Sequence, residues 1–174
     1  MKSSEQPVTF DSAIHVLTYL MGVKYIEIPP VIVKQLGGSF SQRVICTINQ
    51  KISFQAGFVS LGNGSAYISV NQARLKKLGV EEGDMVSVSL VKDDSEYGVP
   101  MPEELDVLFQ QDREGFDRFK GLAMGMQRYI MNHVSAVKNT QKRVDRAILL
   151  ITNLKKTKKG KETFRAILGK DEVL

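Results

Sequence analysis

Apolar and polar residues alternate with a period of two through Val44-Ile45-Cys46-Thr47-Ile48, and again through Met85-Val86-Ser87-Val88-Ser89-Leu90-Val91. That is the pattern of half-buried strands. Asn49-Gln50-Lys51 and Gly62-Asn63-Gly64 fall between apolar runs and read as hairpin turns, the Asn-Gly pair tolerating the positive φ of a type I′ turn. A gapless internal repeat sharpens the reading. Residues 25–37, from Tyr25-Ile26 to Leu36-Gly37, align with residues 67–79, from Tyr67-Ile68 to Leu78-Gly79, with Tyr, Ile, Lys, Leu and Gly recurring in register. Each copy predicts a strand, a short helix, and a glycine able to take the left-handed conformation that ends a helix. Pro30 suits a first helical turn, and Asn71 is a good N-cap. Two strand-helix-strand units related by a pseudo-twofold predict a small closed β-barrel, a solution that removes exposed sheet edges. A chance likeness between short amphipathic strings is the alternative.

Beyond Tyr97-Gly98-Val99-Pro100-Met101-Pro102 the period changes to that of helices. The two prolines disfavour helix and ladder alike, so this stretch reads as a linker. Pro102-Glu103-Glu104-Leu105 opens a helix to about Gln110, with acids where the dipole favours them. Asp112 can cap a second, short helix that buries Phe116 and Phe119. Met126, Ile130, Val134 and Val137 share one face of a third helix, and Val144, Ile148, Ile151 and Leu154 one face of a fourth. Asn139-Thr140 fits as the join, a continuous helix being the alternative. Thr163–Gly169 has the pattern of a last short helix docking Phe164 and Leu168. The expected fold is thus α+β: a closed barrel over residues 1–98, a helical extension over 99–156, and a basic tail over 157–174.

At 174 residues the chain has room for about one typical domain and a small appendage. A hydrophobic share of 43% with 25% charged residues excludes a disordered or collagen-like chain. The N-terminal Met1-Lys2-Ser3-Ser4-Glu5-Gln6-Pro7 lacks the apolar core of a signal peptide, which points to the cytoplasm. The longest late apolar run, Ala147–Ile151, is far too short to span a bilayer. One cysteine excludes an internal disulfide, and with two histidines it leaves too few ligands for a zinc-finger-type site. No catalytic, cofactor-binding or metal-binding residues are predicted.

Charge is distributed unevenly. Residues 1–98 hold 9 Lys+Arg and 9 Asp+Glu, whereas residues 99–174 hold 15 and 10, so the net charge of +5 is entirely C-terminal. His15 and His133 have no sequence-near acid or nucleophile, and Cys46 reads as a small core hydrophobe. Gly62-Asn63-Gly64-Ser65 lacks the lysine-hydroxyl pair of a phosphate-gripping loop. Arg128, Tyr129, Lys138, Lys142, Arg143 and Arg146 form the candidate contact set for an anion or a partner, set against a plain solvated face. Lys155-Lys156-Thr157-Lys158-Lys159-Gly160-Lys161 is the densest basic block. Self-repulsion predicts an extended segment, attractive to phosphate backbones but with no interleaved aromatics to stack on bases.

Tyr25-Ile26-Glu27-Ile28-Pro29, Val44–Asn49 and Leu78–Val86 together resemble a bacterial domain of unknown function with a small barrel fold. Val99–Leu105, Phe119, Arg128-Tyr129-Ile130, Ala136-Val137-Lys138 and Thr140 resemble the helical region of the YdeI/OmpD-associated, or bacteriocin-protection, group. Two departures stand out. Asn49-Gln50 replaces the usual Asn-Gly, and the basic run is Gln141-Lys142-Arg143-Val144-Asp145-Arg146, with Gln141 where an arginine is usual. The resemblance implies a link to envelope stress or antibacterial-peptide resistance and no reaction. The leading expectation is a non-enzymatic cytosolic binding or adaptor protein for an unknown protein or small anionic ligand. The alternative is a weak, sequence-indifferent nucleic-acid binder; the strand-helix-glycine unit is similar to AbrB-type half-barrels, although the N-terminal part is charge-neutral. An enzyme has no catalytic constellation behind it. The oligomeric state is not legible.

Overall fold

The computed structural model describes residues 6–170. Met1–Glu5, within the stretch read for a targeting signal, and the last four residues of the basic tail lie outside the described residues. The chain divides into two compact units, meeting between Asp94 and Ser95.

The first unit is a seven-stranded antiparallel sheet with two short helices. Its elements are β1 (Val8–Leu17), β2 (Val23–Ile28), α1 (Pro30–Gln35), β3 (Arg43–Ile48), β4 (Ile52–Gly57), β5 (Val59–Ser60), β6 (Ala66–Ser69), α2 (Gln72–Leu78) and β7 (Met85–Lys92). The strand order is β4-β3-β7-β1-β2-β6-β5. The repeat folds into equivalent strands that pair with each other. Ile26 lies opposite Ile68 in the β2–β6 ladder, and β3 pairs with β7 with Cys46 opposite Leu90. β1 joins the halves by changing partner along its length, from β7 over Val8–Ala13 to β2 over Ile14–Leu17. Ile14, Ile26, Ile28, Val44, Ile48, Ile68, Val88 and Leu90 line the core face, each at most 2% exposed.

The sheet is an open half-barrel, which corrects the expected closed barrel. Its two terminal strands, β4 and β5, are successive pieces of one run of chain separated only by Phe58. These ends bond to β3 and β6, and among the described residues no ladder joins one to the other.

Local signals act where they stand. The Asn71 side chain accepts from the Arg74 N–H at 2.9 Å, and Gly79 ends α2 in the left-handed region at φ 70°. The hairpin between β3 and β4 is the unexpected one. Asn49 and Gln50 both take positive φ, 50° and 54°, and the Lys51 N–H donates to the Ile48 carbonyl. Gln50 thus occupies a position that favours glycine.

The second unit is helical: α3 (Glu103–Gln111), α4 (Arg113–Lys120), α5 (Met124–Ser135), α6 (Thr140–Lys156) and α7 (Phe164–Ile167). Asp112 caps α4 by accepting from the Gly115 N–H, and Asn139 caps α6 by accepting from Lys142. The continuous-helix alternative across Asn139 is thereby excluded. Phe119 is fully buried against Phe109, ring centroids 4.8 Å apart. Gly115 lets α4 approach α6 closely: a β-carbon there would stand 2.5 Å from Ile151 Cγ2. Buried Gln127 donates its amide to the Phe119, Lys120 and Leu122 carbonyls, satisfying the end of α4. The buried stripe of α6 is Ala147, Leu150, Ile151 and Leu154, so Ile148, expected on the core face, is 48% exposed instead.

Candidate anion-contact surface

The six candidate residues lie on α5, on α6 and in the join between them, but the structure gives them different work. Arg143 faces inward. Its Nε donates to Glu104 Oε1 at 2.7 Å, Nη1 to the Val137 and Lys138 carbonyls, and Nη2 to Thr140 Oγ1. It therefore ties α3 to the end of α5. The carboxyl of Glu104 is held below the usual range by its own backbone N–H and then by Arg143. Arg128 is half-buried and donates to the Tyr97 carbonyl at 3.4 Å, a long contact.

Tyr129 and Arg146 act on a histidine, His133. Tyr129 stacks on His133 with centroids 5.4 Å apart and an interplanar angle of 17°, and on Phe164 of α7 at 4.3 Å. His133 is half-buried, and its pKa lies below the ordinary histidine value because burial, then the charges of Arg146 and Lys170, all disfavour the imidazolium. Both charges acting on it are positive. Lys142 stands one turn before Arg146 on α6, and Lys138 lies exposed in the join. His133, Phe164 and Lys170 were not in the candidate set. The Tyr129/His133 spacing of i, i+4 on one helix was the available signal for the first; nothing local announced the other two.

The lysine-rich block is tied down rather than extended. Lys155 Nζ pairs with Asp112 Oδ2 at 2.6 Å. Arg118 donates to the Lys155 and Thr157 carbonyls and pairs with Glu162 at 3.0 Å, and Glu162 also accepts from the Gly160 N–H. The repulsion expected of five lysines is offset by one half-buried arginine bonding to backbone oxygens and a single glutamate. Lys156, Lys158, Lys159 and Lys161 remain exposed.

In the sheet unit the chemistry-bearing side chains are absorbed by packing. Cys46 is fully buried, and burial pushes its thiol up to about 12, against a smaller opposing pull from Arg74. The cation that reaches it is Arg74, not the sequence-near Arg43. A thiol so raised is not a nucleophile at neutral pH. His15 stacks on Tyr25 at 5.2 Å as a cross-strand pair. A groove of about 370 Å³ beside Val23, Lys24, Ser69 and Asn71 contains one titratable side chain, Lys24.

Residues 10–90 match DUF1905, a domain of unknown function. The DUF1905 region lies wholly within the sheet unit and contains both copies of the repeat. It ends before the helices that carry the cationic surface. A search of curated proteins returns no match to the chain. Among the described residues no helix is long and apolar enough to cross a membrane.

Proposed function

We propose that this chain is a non-enzymatic binding protein whose helical unit holds an anionic partner on the face formed by Tyr129, Lys138, Lys142 and Arg146, with Arg128 at its border. One observation supports the reading above the rest: both charges that act on half-buried His133 are positive. Arg118 and Arg143 are placed otherwise, each matched to a glutamate. A cluster of like charges beside a desolvated imidazole gains stability when an anion enters. The likeness of the helices to the YdeI/OmpD-associated region extends the reading to an adaptor linked to envelope stress or antibacterial-peptide resistance, acting in the cytoplasm.

The test is an NMR pH titration of His133 with and without a short polyphosphate. Binding at this face should raise the His133 pKa, because a neighbouring negative charge favours the imidazolium, and Arg146→Gln with Lys142→Gln should abolish that rise. A His133 titration that polyphosphate leaves unmoved sinks the proposal.

The nucleic-acid reading draws on a separate feature, the exposed Lys156, Lys158, Lys159 and Lys161. Such binding would be sequence-indifferent and would weaken steeply with salt, with a log-log slope of roughly −0.7 to −0.9 per phosphate neutralised. Glutamine at those four positions, with Lys155 kept because it holds Asp112, should remove it.

A further inference from the structure

From Thr18 to Val23, where β1 turns into β2, six consecutive residues are exposed and none is charged, with Tyr19 at 74% and Met21 without cover. Met21 also takes a left-handed φ of 53°, uncommon for a residue other than glycine, directly after a short 3-10 turn over Thr18–Leu20 that buries nothing. Tyr19, Leu20, Met21 and Val23 are thus held away from the core. Large apolar side chains grouped in this way mark a contact surface. Six turn residues are far fewer than the roughly 20–30 a side that a specific protein interface uses. Attachment to a lipid surface needs only a few apolar side chains with cations beside them.

The charges around the turn supply those cations. Residues 1–98 are neutral as a whole, but their acids are segregated: residues 12–80 contain seven Lys+Arg and a single acid, Glu27. Tyr25 pairs with Ser69 in the β2–β6 ladder and the Val70 N–H donates to the Lys24 carbonyl, so the start of α2 lies beside the foot of the turn. Gly22, Val23 and Lys24 line a groove there with Asn71 and Gln72. Lys76, four residues beyond Gln72, is on the same side of α2, and exposed Lys77 follows it. The acids stand back. Glu27 is four residues along β2 from Val23, ~13 Å, and the acidic turn Glu81-Glu82-Gly83-Asp84 meets β1 at Ile14, ~10 Å before that strand ends. Along both strands the acids are therefore about a Debye length or more from the apolar residues. An apolar turn with lysines at its foot complements a surface that is anionic outside and hydrocarbon within.

We propose that the β1–β2 turn is a membrane-surface anchor: Tyr19, Leu20, Met21 and Val23 enter the boundary between headgroups and acyl chains of an anionic bilayer, while Lys24, Lys76 and Lys77 meet the lipid phosphates. It lies on the sheet unit and does not depend on the cationic surface of the helices. The chain contains no tryptophan, so Tyr19→Trp reports on the turn alone. With vesicles of three parts phosphatidylcholine to one part phosphatidylserine, the emission of that full-length variant should shift to the blue and be quenched by brominated acyl chains. Roughly tenfold more lipid should be needed when phosphatidylserine is omitted, or when Lys24, Lys76 and Lys77 are changed together to glutamine. Adding Met21→Asp puts a charge in the turn at a φ that aspartate tolerates, so the fold should stand and the shift should disappear. A tryptophan that stays unshifted and unquenched at saturating vesicles overturns the proposal, even where the chain sediments with them through its exposed C-terminal lysines. So does a shift that survives a folded Met21→Asp, or one equally strong on neutral and anionic vesicles.

Discussion

The two units hold distant parts of the chain together by different means. In the sheet unit the backbone makes the long-range connections: the β1–β7 ladder joins Val8 to Leu90, and side-chain bonds such as Thr47 to Ser53 decorate a frame already fixed. In the helical unit every backbone bond within a helix is local, and side chains must make the long-range ties. Arg143 reaches Glu104, Lys155 reaches Asp112 and Arg118 reaches Glu162, across 39, 43 and 44 residues. The helical unit therefore depends on a few polar side chains in a way the sheet unit does not.

Two glycines test this contrast with the largest expected effect. Gly115→Ala would push a β-carbon to 2.5 Å from Ile151 and 2.7 Å from Asp112 Oδ2, disturbing a packed contact and a cap together. A loss of about 1–3 kcal/mol is expected from such overpacking, measured by chemical denaturation. At Gly57 on β4 the nearest atoms a β-carbon would meet belong to the Arg43 side chain, Nη1 first at 2.8 Å, the end of a flexible side chain. Gly57→Ala should cost clearly less, although that glycine is not as unconstrained as its strand context suggests. Equal losses would erase the distinction between the units.

Asp112 sharpens the comparison through pH. Its carboxyl is held below the ordinary aspartate value by Lys155 first and the Gly115 N–H second. The sign follows from linkage: a depressed folded pKa adds stability that is present above the unfolded value and lost as pH falls through the folded one. Asp112→Ala should cost about 1 kcal/mol at neutral pH for the cap, the half-exposed ion pair adding little. That difference from wild type should shrink as acid protonates Asp112 in the wild type. A difference constant down to the acid limit would assign the loss to packing.

The smallest effect belongs to the sheet unit and has the opposite sign. Gln50 sits at φ 54° in the β3–β4 turn, so Gln50→Gly should stabilise by roughly 0.5–1 kcal/mol, visible as a raised melting temperature. A lowered melting temperature would show that the Gln50 side chain contributes more than its backbone strain costs.

Much of the fold was legible because its signals are local. Period-two alternation, the 25–37/67–79 repeat, the caps at Asn71 and Asp112, the join at Asn139, and the left-handed Gly79 each act within a few residues of where they are written. For that reason strand and helix existence, the change from sheet to helices, and the paired halves of the repeat could be read in advance. The candidate surface was legible only as a charge count.

Tertiary structure alone decided the rest. Sheet closure depended on which strands end the ladder, and β4 and β5 proved to be one continuous run. Arg143 and Arg146, three residues apart and alike in sequence, were separated by the direction of α6: one faces Glu104, the other His133. The same rotation left Ile148 outside the core. Periodicity tells which residues share a face, but the neighbour that face meets is set by packing between segments tens of residues apart.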